Sequence, residues 1–404
     1  MISDQRSFPS TVSKFTGWHR RLAACALTTI LGAAAPMALA YDGIVKKEVF
    51  TLPSYTTVKG ATIKDVRIGY ETYGKLNEAK DNVIVICHGF IGNSHAAGKY
   101  APTDAAPGYW DAIIGAGKAF DTDRYFVIST DTLANLNVKA PDVVTTGPAT
   151  VDPETGKPYG MRFPVISARD MIEVQKALID RLGIKKIKAV AGYSAGAVQT
   201  IEWAAAYPNL VERFVSVIGP GIVANDYSRA MMNIWSSPIL LDPKWNNGDY
   251  YGREQPQAGV AQAVKLVTFS SFGFGGADRA FNGRWADPQK EPGSALNYQF
   301  AIEDTLQKIG NGRSKTVDAN HFLYMAKALQ LFAPDVSHLR QPSLFIAVSS
   351  DMIFPPLLSR QAVESLKKRG VDVEYFEMQS DGGHIDGVNR INLAADVIGR
   401  FMAK

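Results

Sequence analysis

Cysteine is nearly absent. The 404-residue chain holds only Cys25 and Cys87. Cys25 falls in a stretch that reads as a removable leader, so the remainder has one thiol and no intrachain disulfide framework. Cys87 ends an apolar run, where an inert core thiol is the ordinary outcome. Long apolar runs are missing as well. The Leu22 to Ala35 stretch is too short for an ordinary membrane span, so none is expected in the mature chain. Excess charge of one sign is also lacking. Residues 1–40 carry Arg6, Lys14, Arg20, Arg21 and Asp4; without them 39 basic and 38 acidic side chains remain. That balance gives no reason to expect nucleic acid or an anionic membrane as partner. Repeats and low-complexity tracts are absent, and no metal or cofactor is expected.

The leader is read from its order. Arg20-Arg21 precede the apolar Leu22 to Ala35 run, and Ala38-Leu39-Ala40 follow it. Basic start, apolar centre and A-x-A end describe a secretory signal peptide cut after Ala40, with a periplasmic or secreted product.

The most informative stretch that is present is Gly192-Tyr193-Ser194-Ala195-Gly196. It lies between an apolar run, Ile187 to Ala191, and a helical pattern, Ala197 to Tyr207. Strand, G-x-S-x-G, helix is the setting of a nucleophile elbow. A serine hydroxyl needs to stand in the open beside a base. Gly192 and Gly196, without a Cβ, let strand and helix approach around it. Further strands are read at Val83–Cys87, Tyr125–Ile128, Phe214–Ile218, Leu344–Val348 and Val373–Phe376, with residues 45–75 mostly strand. Helices are read at Ser167–Leu182, opened by a Ser167/Asp170 capping box, at Gln361–Lys368 and at Asn392–Met402. Alternating helices and nearly all-apolar strands predict an α/β fold with a mostly parallel sheet covered on both faces. Residues 41–221 and 335–404 form this core. Residues 222–334 have helical segments, no clear strand and a Gly-rich aromatic patch, Phe269 to Gly276. They read as a helical lid inserted between two strands, with a plain helical subdomain as the bland alternative.

In this fold the chain order is Ser, acid, His. His384 lies in the Gly-rich loop after the last strand and fits the base. His321 and His338 read as surface or packing residues. Asp351 directly follows the Leu344 strand and is placed for the acid, with Asp381 and Asp386 as the other contenders. The oxyanion hole needs two backbone N–H donors: Ala195, after the nucleophile, and Phe90, in the loop after Cys87. His88 in that loop reads as shaping the turn.

Several blocks resemble the homoserine O-acetyltransferase family of the α/β-hydrolase superfamily. They are Cys87-His88-Gly89-Phe90-Ile91-Gly92-Asn93-Ser94-His95, Pro107 to Asp111, Phe120 to Phe126, Asp242-Pro243-Lys244-Trp245, Asp318 to Tyr324 and Asp351 to Pro356. The resemblance spans nearly all of residues 45–403. It implies an α/β-hydrolase fold with a lid, acyl transfer through an acyl-enzyme, and room for a homodimer formed through the lid. It also implies an aspartate directly after the catalytic histidine to hold an ammonium, and lid arginines to hold a carboxylate. Here those positions read Ile385, the Trp235 to Leu241 stretch without a basic residue, and Phe269-Ser270. A zwitterion needs a partner at each end. The expectation is therefore an exported serine hydrolase for neutral esters, with Trp235, Phe269 and Ile385 facing the substrate. O-acyl transfer is the alternative, and a non-catalytic binding protein of this fold is a third.

Overall fold

In the computed structural model, residues 43–223 and 225–404 are described; the expected signal peptide lies outside them. Eight strands form the main sheet: β1 (Glu48–Thr56), β2 (Thr62–Tyr73), β3 (Val83–Cys87), β4 (Phe126–Thr130), β5 (Ile187–Tyr193), β6 (Phe214–Val217), β7 (Ser343–Val348) and β8 (Val373–Met378). Their spatial order is β1-β2-β4-β3-β5-β6-β7-β8. β2 runs antiparallel to both neighbours and the remaining pairs are parallel. The sheet is thus mostly parallel, as the apolar runs predict.

The side-chain period of two explains why those runs are apolar throughout. Val83, Val85 and Cys87 of β3 join a core with Met171 and Leu178 of helix α1 (Ala168–Arg181). Ile84 and Ile86 point the other way, to Ile398 and Phe401 near the C-terminus. Each face must be dry, so each position is apolar. Ser167 opens α1 as read: its backbone N–H donates to Asp170 Oδ2 at 2.7 Å. Helix α2 (Ala195–Ala206) follows β5 directly.

Between β6 and β7 come α3 (Asp226–Leu241), α4 (Gln257–Ser270), α5 (Phe274–Phe281), α6 (Ala301–Arg313) and α7 (Ala319–Gln330). The extended structure described in this insertion is a single bridge, Trp285 to Phe300. The chain then returns to β7, continues through α8 (Pro356–Lys368) and β8, and ends on α9 (Asp386–Asn389) and α10 (Ala395–Ala403). The parallel sheet brings the carboxyl ends of β3, β5, β7 and β8 to one edge. The loops that follow those strands therefore meet there, although they lie up to about 300 residues apart in sequence.

Candidate active site

Ser194 sits at the β5–α2 junction with φ 56° and ψ −118°, a region that non-glycine residues rarely adopt. Such a conformation costs on the order of 1–3 kcal/mol and persists only where the surroundings enforce it. The Ser194 N–H donates to Val217 O at 3.0 Å, and Ala197 N–H donates to Ser194 O at 2.9 Å. The flanking glycines leave no choice. A Cβ on Gly196 would lie 2.0 Å from Cys87 O, and one on Gly192 would lie 2.4 Å from Gly196 O.

The base and acid come from the far end of the sheet. His384 Nδ1 donates to Asp351 Oδ2 at 2.7 Å, and both side chains are buried. Asp351 Oδ1 accepts from Ile353 N–H at 2.8 Å and Phe354 N–H at 3.0 Å. Those bonds fix the carboxylate, which fixes the imidazole tautomer. His384 Nε2 is buried without a partner among the described residues. His384 and Ser194 line one cavity of about 720 Å³. No hydrogen bond joins Ser194 Oγ to Nε2 here; in a free enzyme that contact is often long and tightens once substrate is bound.

The other contenders for the acid are engaged elsewhere. Arg279 grips Asp381 through both terminal guanidinium nitrogens, with Nη2 at 2.7 Å from Oδ1. Asp386 accepts from Ser380 Oγ and lies 3.8 Å from Arg390 Nη1.

Phe90 lines the cavity beside Ser194, and Ala195 follows the nucleophile. Neither backbone N–H has an acceptor among the described residues. They are therefore free for a developing oxyanion. His88 is fully buried; Nδ1 donates to Gly89 O at 2.7 Å and Nε2 accepts from Asn135 Nδ2 at 3.2 Å. Burial pushes its pKa down to about 4, which keeps the ring neutral and tied to the turn. Of the two readings for His321, packing is the one observed. The ring is fully buried between Asn135 O, to which Nδ1 donates at 2.8 Å, and Ala149 N–H at 3.0 Å. Cys87 is buried, and desolvation pushes its thiol up to about 12, so it stays protonated and unreactive.

Trp235 and Ile385 line the cavity, and Trp235 Nε1 donates to Ser270 Oγ at 3.1 Å. Phe269 does not line it. On α4 and its C-cap, Val264, Val267, Thr268 and Ser271 share one helical face by their spacing, and Val267, Thr268 and Ser271 contribute to the cavity. Phe269 is turned about 100° away from Thr268. It stands 60 % exposed over a separate apolar groove with Tyr227 and Phe274. Phe272 and Trp235 stand between the two and line both. Sequence reading missed Phe272, Tyr193 and Arg313, all of which line the site. Nothing in their local patterns separates them from ordinary packing or surface residues.

The Gly-rich patch also gains a reason. Gly273 N–H donates to Gly382 O and Gly276 N–H to Asp381 O, both at 2.9 Å, while Ile385 N–H donates to Ser271 O at 3.2 Å. Lid backbone thus clasps the loop that carries His384. A Cβ on Gly273 would lie 2.2 Å from Asp381 O. Gly273→Ala is expected to destabilise the protein by roughly 1–3 kcal/mol, as overpacking against backbone does. At Gly312, in α6, a Cβ meets nothing within 4 Å. Gly312→Ala should be neutral or stabilising by up to about 1 kcal/mol. Denaturant midpoints of the two variants check the contrast.

The strained serine at a strand–helix turn, the His–Asp pair facing it and the two free N–H groups define an acyl-transferring serine enzyme of the α/β-hydrolase class. Comparisons agree: residues 82–389 match the family model described as alpha/beta hydrolase fold. The homoserine O-acetyltransferase of Deferribacter desulfuricans is 36 % identical over 376 residues, covering 90 % of this chain and 96 % of that protein. A crystal structure of esterase E22 is 42 % identical with TM-score 0.84, covering 89 % of this chain and 100 % of its own. The homoserine O-acetyltransferase structure from Bacillus anthracis is 37 % identical with TM-score 0.84, covering 89 % and 98 %. Within the α/β-hydrolase enzymes, this chain belongs to the homoserine O-acetyltransferase family.

Proposed function

We propose that this member of the family is a serine esterase that forms an acyl-enzyme at Ser194. Ser194 Oγ attacks the ester carbonyl while its proton passes to His384 Nε2. The tetrahedral oxyanion accepts from Phe90 and Ala195 N–H. Collapse expels the alcohol, which takes the proton back from His384. A water molecule then repeats the attack with His384 as base, releasing the acid and regenerating Ser194. Asp351 stabilises the imidazolium in both halves.

The observation that carries hydrolysis over homoserine transfer is the cavity wall after His384. Ile385 stands there, and among the described residues no Asp or Glu lines the cavity. An ammonium entering it finds no counter-charge, and an unpaired buried charge is costly. The esterase neighbour supports this reading. O-acyl transfer is the second reading, and the names of relatives such as the Deferribacter desulfuricans protein favour it. It shares the first half-reaction and differs in what meets the acyl-enzyme.

The expected result is ester hydrolysis with little acetyl-CoA-dependent O-acetylhomoserine formation. Both rates should be measured on one preparation under matched conditions. Transfer to homoserine exceeding hydrolysis of simple esters overturns the esterase reading. We also propose export, from the order of residues 20–40. The native protein should then begin at Tyr41, and an intact Met1 terminus found by mass spectrometry rejects this.

A further inference from the structure

The sequence expectation of a neutral ester leaves one cavity residue unexplained. Arg313, the last residue of α6, lines the same cavity as Ser194 and His384. It makes no ion pair and no side-chain hydrogen bond among the described residues. Two other lid arginines differ. Arg229 pairs with Asp226 at 2.7 Å and Arg253 with Asp249 at 3.3 Å, and neither lines the cavity. The same cavity is lined by Thr316, Asn93 and Asn137 as neutral polar groups, and by Ile309 and Phe90 as apolar ones. Asp142 accepts from Asn93 Nδ2 at 2.9 Å but does not itself line the cavity. Burial pushes the Tyr193 hydroxyl, next to the nucleophile, up to about 12, and the Arg313 charge acts only weakly against that.

We propose that Arg313 is a specificity residue that binds a carboxylate on the substrate, so that the preferred ester is anionic rather than neutral. The argument is charge complementarity. A cavity with one unpaired guanidinium and no lining carboxylate suits an anion and repels an amine. A guanidinium presents a planar fork of donors that a carboxylate matches with two parallel bonds. The apolar remainder of the cavity suits the chain between the carboxylate and the ester. This rests on the acyl-enzyme reading above. It also revises the case against homoserine. Arg313 offers that molecule's carboxylate a partner, so the penalty falls on its ammonium alone.

The carboxylate can belong to the acyl side or to the alcohol side, and two pairs of esters separate these. Monomethyl glutarate is compared with methyl pentanoate, and 4-acetoxybutanoate with butyl acetate; each pair exchanges a carboxylate for a methyl group. In at least one pair kcat/KM is expected to favour the anion. Arg313→Gln should lower that preference about tenfold, the low end for a charged hydrogen bond because Arg313 is exposed, and Arg313→Lys should restore part of it. The preference should also shrink as salt rises. Thermal unfolding of each variant verifies that it is folded. Calorimetric binding of the same four esters to Ser194→Ala, with and without Arg313→Gln, keeps the two readings apart. Arg313-dependent binding of the anions without any hydrolysis overturns the esterase reading and supports the anion site. Hydrolysis of butyl acetate with no Arg313-dependent preference, in turnover or in binding, overturns the anion site alone.

Discussion

Ser194→Ala is expected to lower ester-cleaving activity a thousandfold or more while leaving the fold intact. Losses of this size or larger follow when a triad nucleophile is removed, because the remaining groups can no longer form the acyl-enzyme. The residual rate belongs to the oxyanion donors and to substrate binding, which the substitution leaves in place. The fold should survive for a local reason. The backbone bonds to Val217 O and from Ala197 N–H do not involve the hydroxyl, and alanine is no larger than serine. Steady-state hydrolysis and far-UV circular dichroism on one preparation check both halves. Turnover near that of the parent would remove the serine from the mechanism.

Asp351→Asn carries the second large effect, a loss approaching ten-thousandfold. An amide placed where the carboxylate now accepts from His384 Nδ1 at 2.7 Å favours the wrong tautomer and leaves the imidazolium without its counter-charge. The two N–H groups of Ile353 and Phe354 that hold Oδ1 hold an amide oxygen as well, so the NH2 is turned toward the imidazole. Asp381→Asn and Asp386→Asn are the comparisons. Asp381 holds Arg279, and Asp386 holds Ser380 and Arg390; neither touches the imidazole. Each should cost far less than Asp351→Asn in kcat. A larger loss at either of them would move the acid away from Asp351.

The apolar runs at β3, β5 and β7, the capping box at Ser167 and the elbow around Ser194 were all legible in the sequence. Each is a local signal. Side-chain period, cap chemistry and glycine spacing act within a few residues, and a parallel sheet requires strands to be apolar on both faces. The order of Ser194, Asp351 and His384 along the chain was legible too, since it follows from the sites where strands end. What sequence could not decide is which side chain of a lid helix faces the cavity. Phe269 and Phe272 lie three residues apart and both are aromatic. The packing of α4 against the core sends Phe269 to the outer groove alone, while Phe272, past the helix end, reaches the cavity as well. The sequence left His321 as either a surface or a packing residue; α7 buries it against the loop at Asn135, which lies 186 residues earlier. Arg313 has no distinguishing pattern at all. Its meaning comes from the cavity it lines and from the absence of carboxylates on that wall. The sequence alone therefore determined the fold class and singled out the candidate reacting groups, whose signals are short-range. The tertiary structure decided what surrounds the reacting groups, because the charge and shape of a cavity are sums over residues that only packing brings together.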